Sequence, residues 1–251
     1  MGDLEVFRVN EAIVCLRRRS YLTCSYLVET AAGLVLVDAG MSSEAADVNG
    51  ALRFVSAEFT DVRAVLLTHW HSDHSAGAAR TAAQSKAAIY YHAAEADFLA
   101  APTRPLRFAD RLSTWVPEWG PFVIAKGLLK EGPPAPVRAT RLIEDGELLL
   151  DEFSVLHTPG HTPGHCSFFH RPTAALFAGD ALAVVRGEAR LMARSVTPDR
   201  DSARASVLRC LELGVEVLCP GHRRPLADGV PATLERLRTR LQRIASWPTF
   251  G

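Results

Sequence analysis

The sequence predicts an α/β fold, and two observations support it. Short apolar runs rich in Val, Ile, Leu and Tyr alternate with longer segments of helical character. The two halves of the chain also share a coarse plan of strands followed by helix, strand and helix. With 251 residues, of which 48% are hydrophobic and 22% charged, the chain can bury a sizeable core. We therefore expect one layered domain over residues 1–251.

Each predicted element has a local reason. Strands are bounded by turns such as Asn10-Glu11 and Ala32-Gly33, a helix begins after Ser42 or Ser43, and another follows Pro198. The predicted strands are 4–9, 13–16, 24–29, 34–37, 62–67, 88–91, 141–143, 147–150, 153–157, 166–170, 174–177 and 215–218. The predicted helices are 43–59, 76–85, 93–99, 199–213 and one within 226–244.

A cluster of metal-ligand residues follows the buried strand 62–67. It has the pattern H-x-H-x-D-H, in which residues two apart in extended chain point to the same side. His69 and His71 can then bind one ion, while Asp73 and His74 face a second. Imidazole and carboxylate suit zinc, and also iron or manganese. A solvated His-rich loop is the alternative, but four such residues at this spacing favour a metal site.

Further His and Asp residues stand at or just beyond the ends of predicted strands. Asp38 is either a turn residue or an acceptor that orients metal ligands. His161 and His165 lie in the run T-P-G-H-T-P-G-H, which prolines and glycines hold in place. Asp180 and His222 follow two later strands. Loops at one edge of a sheet can bring such residues to a single site.

In this order, the motifs resemble those of the metallo-β-lactamase superfamily, over nearly the whole chain outside a Pro-rich stretch. The resemblance implies an αβ/βα sandwich of two mixed β-sheets flanked by helices. It also implies two divalent metal ions, with zinc expected ahead of iron or manganese. The implied ligands are His69, His71 and His161 for the first ion, Asp73, His74 and His222 for the second, and Asp180 between them. Asp73 and Asp180 are the candidate catalytic residues, and Asp38 and His165 the candidate supports behind the ligands.

The resemblance implies a hydrolase in which a hydroxide that bridges the metals cleaves an ester, lactone or thioester bond of a small molecule. The T-P-G-H-T-P-G-H-x-S stretch, which ends at Ser167, looks like that of lactonases. Residues 181–188 do not match the Gly-rich basic segment of glutathione-thioester hydrolases. The alternatives are a persulfide dioxygenase-like enzyme with one iron and a β-lactam-hydrolysing enzyme. An intact ligand set disfavours a non-enzymatic binding protein, since idle buried polar groups cost stability.

Composition limits the partners and the compartment. The formal net charge is zero at pH 7, so nucleic acid and anionic membranes are not expected partners. No apolar run is long enough to cross a bilayer. Five cysteines without a C-x-x-C spacing, and an N-terminus without a leader pattern, predict a cytoplasmic protein.

A Pro- and aromatic-rich insertion is predicted at about 101–138. It contains seven prolines and a short apolar run at 122–129 that could form a helix. Long irregular segments often serve as binding loops, so the insertion is predicted to help choose the substrate. A surface excursion, or a contact in a homodimer, is the alternative.

Overall fold

The computed structural model describes residues 3–101, 135–243 and 247. Its first sheet has seven strands in chain order, antiparallel from β1 to β4 and parallel from β4 to β7. These strands are β1 (Leu4–Arg8), β2 (Ile13–Arg18), β3 (Cys24–Thr30), β4 (Gly33–Val37), β5 (Val62–Leu66), β6 (Ala88–His92) and β7 (Arg141–Ile143).

The second sheet has five strands in the order β14-β11-β10-β9-β8, and a separate hairpin joins β12 to β13. Among the described strands of this sheet, β11 and β14 pair in parallel and the other neighbours are antiparallel. The strands are β8 (Leu148–Leu149), β9 (Phe153–His157), β10 (Cys166–His170), β11 (Ala175–Gly179), β12 (Leu182–Val185), β13 (Glu188–Leu191) and β14 (Val217–Pro220). Both large sheets are mixed, as predicted.

The helices lie outside the two sheets. They are α1 (Ala46–Phe54), α2 (Ser72–Ser75), α3 (Ala78–Ser85), α4 (Ala96–Ala100), α5 (Arg200–Cys210) and α6 (Val230–Arg243), with short 3₁₀ helices at Phe59–Asp61, Ala93–Glu95 and Arg194–Val196. Within the ranges described, none of these helices combines the length and apolar composition needed to cross a bilayer.

Three apolar clusters define four layers. Between the sheets, Phe153, Phe168 and Phe177 of the second sheet pack against strands of the first. The opposite face of the first sheet packs against α1 and α3, and that of the second against α5, α6 and the hairpin. Because both faces of each sheet are covered, the central strands are apolar almost throughout. The αβ/βα sandwich implied by the resemblance is therefore confirmed.

The structure departs from the predicted elements at α1 and at the β12–β13 hairpin. The helix predicted at 43–59 covers only Ala46–Phe54, because Ala45 and Ser56 adopt positive φ at either end. The β12–β13 hairpin was not predicted. The insertion at about 101–138 falls mostly outside the described residues, as does its predicted helix.

Candidate metal centre

The fold brings the predicted site residues to one edge of the sandwich. Asp38 follows β4, the H-x-H-x-D-H motif follows β5, and the turn with His161 follows β9. Asp180 follows β11, and His222 follows β14. Strands β4 and β5 are parallel, and β9, β11 and β14 share one direction because β9 and β11 both pair antiparallel with β10. Their carboxyl ends therefore meet, as in other α/β ligand sites.

The first ligand group consists of His69, His71 and His161, whose ligand atoms all lie within 4.8 Å of one another. Nδ1 of His71 is 3.0 Å from Nε2 of His69 and 2.8 Å from Nε2 of His161. His69 and His71 flank Trp70 in the loop after β5, and the 3.0 Å between their ring nitrogens places both rings on the same side of the chain.

The second ligand group consists of Asp73, His74 and His222. Nε2 of His74 lies 3.4 Å from Nε2 of His222 and 3.7 Å from Oδ2 of Asp73. Asp73 and His74 belong to α2, a single helical turn that was not predicted; the helix predicted at 76–85 corresponds to α3. The helical turn directs them away from the first group and toward the end of β14.

Asp180 lies between the two groups and is 4% exposed. Its Oδ2 is 3.3 Å from Nε2 of His161 and 3.4 Å from Nε2 of His222, and its Oδ1 is 3.6 Å from Nε2 of His74. His69, His74 and Asp180 also form a group with metal-ligand geometry. The sequence-predicted ligands thus come together as two adjacent groups that share one carboxylate.

Hydrogen bonds on the far side of the rings fix which nitrogen faces the site. Nδ1 of His161 lies 2.6 Å from the carbonyl oxygen of Val196, and Nδ1 of His222 lies 3.2 Å from that of Tyr21. A carbonyl can only accept, so both rings carry a proton on Nδ1, and Nε2 is the nitrogen that faces the site. This is the orientation that a metal ligand requires.

Asp38 orients one histidine of each group. Its Oδ2 accepts a bond from Nδ1 of His74 at 2.8 Å, and the Thr68 hydroxyl donates to the same carboxylate. The hydroxyl oxygen of Thr68 then accepts from Nδ1 of His69 at 3.0 Å. Asp38 is 2% exposed, so these bonds lie away from water. The sequence predicted this role for Asp38 but gave no reason to single out Thr68.

His165 supports Asp180 through the backbone. Its Nε2 accepts the N–H of Asp180 at 2.9 Å, and its Nδ1 bonds the hydroxyl of Thr158 at 2.8 Å. Burial lowers the pKa of His165 to about 3, which keeps the ring neutral and able to accept. The predicted supporting position of His165 therefore agrees with its contacts.

The first group is electrically suited to a cation. Burial lowers the pKa of His71 to about 3, and it lowers the pKa of His69 well below its usual value. For His161 the same cause outweighs the nearby Asp180 carboxylate, so its pKa is also lowered. Even with its proton on Nδ1, His71 has only one N–H for the two Nε2 atoms beside it, so the three neutral rings cannot all be satisfied by one another.

The second group is strongly ionic. Burial disfavours a charged His74, but the carboxylates of Asp73, Asp180 and Asp38 outweigh it and raise the pKa to about 10. Burial raises the pKa of Asp180, yet the neighbouring histidines, His222 first, hold it well below the usual value. The carboxylates are therefore ionised and need positive charge beside them.

Two observations test whether the residues fit divalent ions. Three ring nitrogens of the first group face one another at 2.8–3.0 Å with at most one N–H, that of His71, to share among them. In addition, Oδ1 of Asp180 is fully buried and has no hydrogen-bond partner among the described residues. A buried acceptor without a hydrogen-bond partner is uncommon in folded proteins, and a metal ion bound at this oxygen would satisfy it. The site therefore fits the metal ions that the resemblance implied.

Sequence reasoning missed several residues that hold the site together. Thr23 donates to Oδ2 of Asp73 at 3.3 Å, and Glu95 binds two backbone N–H groups near the ligands. No pattern in the sequence marks them, because each acts on residues far away in the chain. Three other histidines stay outside every ligand group in the described part of the chain, as expected. They are His92, His157 and His170.

The fold and this constellation define a metal-binding α/β sandwich protein. The sequence profile of the metallo-beta-lactamase superfamily matches residues 22–222, from just before β3 to the last ligand. The chain belongs to the metallo-β-lactamase superfamily, and within it to the metallo-hydrolases.

Curated relatives include hydrolases of several kinds. A probable metallo-hydrolase of Bacillus subtilis (strain 168) is 29% identical over 229 residues, which cover 84% of this chain and 81% of the relative. A thioesterase of Emericella nidulans is 28% identical and covers 89% of this chain. A hydroxyacylglutathione hydrolase of Hamiltonella defensa is 30% identical over 66% of this chain. The chain spans about half the length of the last two relatives, 51% and 50%.

Solved structures share the fold. The metallo-β-lactamase SMB-1 superposes with a TM-score of 0.65 at 19% identity, over 95% of each chain. TTHA1623, in a di-iron-bound form, superposes with a TM-score of 0.61 at 28% identity, over 87% of this chain and 93% of its own. The likeness to SMB-1 carries the fold and not the activity.

Proposed function

We propose that this protein hydrolyses an ester, lactone or thioester bond of a small molecule, with two divalent ions, zinc foremost, held side by side. The observation that carries the proposal is the position of Asp180, whose Oδ2 is within 3.4 Å of both His161 and His222. A carboxylate between two ligand groups can bind both ions, as in other two-metal hydrolytic sites.

The ions would supply a water of lowered pKa and a Lewis acid for the scissile carbonyl. The chain itself orients the ligands and shields them from bulk water. His69 and His74 are each 0% exposed, so both rings are shielded from bulk water. Asp73 is held by Thr23 at 3.3 Å, which keeps its carboxylate turned toward His222.

The relatives support an acyl substrate. A thioesterase and hydroxyacylglutathione hydrolases both act on thioesters by name, and they align with 89% and 66% of this chain. The Gly-rich basic segment expected for glutathione recognition is replaced here by the β12–β13 hairpin, which packs its apolar side chains against α5 and α6. We therefore favour an acyl compound whose leaving group is not glutathione.

Iron-dependent oxygen chemistry on a persulfide is the second candidate. The di-iron form of TTHA1623 supports iron as an alternative metal. A single iron held by two histidines and one carboxylate would leave the second ligand group, Asp73, His74 and His222, without a role. That complete second group favours hydrolysis.

The test begins with metal-free protein reloaded with zinc, iron or manganese. We would assay a lactone, an aryl ester, an acyl thioester and a β-lactam for hydrolysis, and a persulfide for oxygen uptake. We expect hydrolysis of at least one of the first three. We also expect Asp180→Asn to lose more than about a hundredfold in kcat/KM, since residues behind the ligands already cost about 10- to 100-fold. Asp145→Asn, a surface carboxylate, serves as the control.

Oxygen uptake without hydrolysis would move the assignment to the persulfide reaction. Cleavage of the β-lactam alone would overturn the substrate class. Full activity of Asp180→Asn would overturn the role of the shared carboxylate.

A further inference from the structure

Glu95 is a fully buried carboxylate outside the ligand set. It is 0% exposed and ends the 3₁₀ helix Ala93–Glu95 that follows β6. Burial raises its pKa, so the site must compensate an ionised side chain with hydrogen bonds. Because Glu95 belongs to none of the metal-ligand groups found among the described residues, metal binding does not explain why a carboxylate is buried at this position.

Each oxygen of Glu95 accepts a bond from a different loop of the metal site. Oε2 accepts the N–H of Trp70 at 2.8 Å, and Oε1 accepts the N–H of Gly164 at 2.7 Å. Trp70 stands between His69 and His71, and Gly164 stands three residues after His161. Both oxygens are engaged by N–H groups, so Glu95 is not placed to be a ligand itself.

The two loops come from different sheets. Trp70 follows β5 of the first sheet, and Gly164 belongs to the turn after β9 of the second. The described contacts that join the loops directly also include the backbone bond from Cys166 N–H to the carbonyl of Thr68, at 2.8 Å. Because its two oxygens accept bonds from loops of different sheets, Glu95 ties the two sheets together beside the metal site.

The local packing is built around this carboxylate. A Cβ on Gly164 would lie 2.7 Å from Oε1 and 2.8 Å from Cγ of Glu95. Only glycine lets the turn approach the acid this closely.

We propose that Glu95 is a positioning residue that sets the spacing between the loop of His69 and His71 and the loop of His161, and thereby the affinity of the first metal position. The inference rests on the proposed metal site but not on the substrate.

The test measures metal affinity rather than turnover. Metal-free wild type and Glu95→Gln would be titrated with Co²⁺, and the visible spectrum of the bound ion would report its coordination geometry. Glutamine keeps the size and one acceptor but turns an NH₂ group toward the second N–H. We expect the first Co²⁺ to bind about ten- to a hundredfold more weakly, with an altered spectrum.

Glu152→Gln is the matched control. Glu152 also joins two separate segments, since it accepts the N–H of Ala31 at 3.0 Å and bonds Nε2 of His170 at 2.8 Å. It precedes β9, however, whereas the turn with His161 follows β9, so Glu152 lies at the opposite end of that strand from the metal site. We expect its variant to lose stability without a change in Co²⁺ affinity. Circular dichroism of the metal-free proteins checks that each variant is folded.

Gly164→Ala provides a second route to the same contact if Glu95→Gln does not fold. It keeps the acid but displaces it, and we expect the same weakening of the first ion. Wild-type affinity and spectrum in a folded Glu95→Gln or Gly164→Ala variant would overturn the inference. A wild type that binds no Co²⁺ would instead overturn the metal site itself, so the two failures are distinguishable.

Discussion

Asp38 and His74 form a buried pair in which Oδ2 of the acid accepts Nδ1–H of the ring at 2.8 Å. The same carboxylate accepts the hydroxyl and the backbone N–H of Thr68. One residue thus orients His74 directly and His69 through Thr68. The two ligand groups are therefore coupled behind the metal positions as well as between them.

The variant Asp38→Asn tests this coupling. Asp38 has a φ of +56°, a conformation that Asn tolerates well, so the change adds little backbone strain. An amide has only one acceptor oxygen, so either His74 or Thr68 loses its partner. We expect zinc to bind about 10- to 100-fold more weakly, as measured by competition with a chromogenic chelator.

Asp47→Asn is the control, because Asp47 is equally buried, at 2% exposed, and accepts bonds from Arg18 and the N–H of Met41. We expect it to destabilise the fold without changing zinc affinity. Equal affinities in the Asp38 and Asp47 variants would contradict the orienting role.

Gly221 provides a steric test of the second metal position. A Cβ at this glycine would lie 2.4 Å from Oδ1 of Asp180 and 2.8 Å from Cε1 of His74. We expect Gly221→Ala to lose one equivalent of bound metal and most of the hydrolytic activity, because two ligands must move. Elemental analysis of the purified variant measures the first effect.

Gly214→Ala is the matched control, since no atom lies within 4 Å of a Cβ built there. We expect its metal content to equal that of the wild type and its stability to stay within about 0.5 kcal/mol. A Gly221→Ala protein that retains full metal content would show that Asp180 and His74 are not held as described.

Arg209 and Asp145 give a pH-dependent contribution to stability. Burial raises the pKa of Asp145, but bonds from Arg209 and from the N–H of His157 outweigh it, so the net pKa lies below 3.8. The unfolded chain then binds more protons, and the contribution is present above the unfolded value and lost as pH falls through the folded value.

We expect Arg209→Gln to cost less than about 1 kcal/mol at pH 7, because both side chains are nearly half exposed. The difference from wild type should shrink as the pH falls below 3.8. Urea unfolding across this range measures it, and a difference that stays constant with pH would rule out Asp145 as its origin.

Much of the fold follows from local patterns. The strands that feed the site are short apolar runs, and the H-x-H spacing alone places His69 and His71 on one side of the chain. Helix α1 was predicted too long, because its ends depend on the positive φ of Ala45 and Ser56 rather than on periodicity. The β12–β13 hairpin depends on packing against α5 and α6, which no local pattern encodes.

The supporting residues of the site were harder to predict for a physical reason. Glu95 acts on partners 25 and 69 positions away, so its environment exists only after the sheets have come together. The roles of the predicted ligands, by contrast, depend on residue type and spacing.

The most direct test of the account is the metal content per chain of wild-type protein dialysed against zinc and then freed of excess metal. We predict two equivalents of zinc, bound by His69, His71 and His161 at one position and by Asp73, His74 and His222 at the other, with Asp180 between them. A chain that retains no metal, or a single equivalent even after excess zinc, would contradict the central claim.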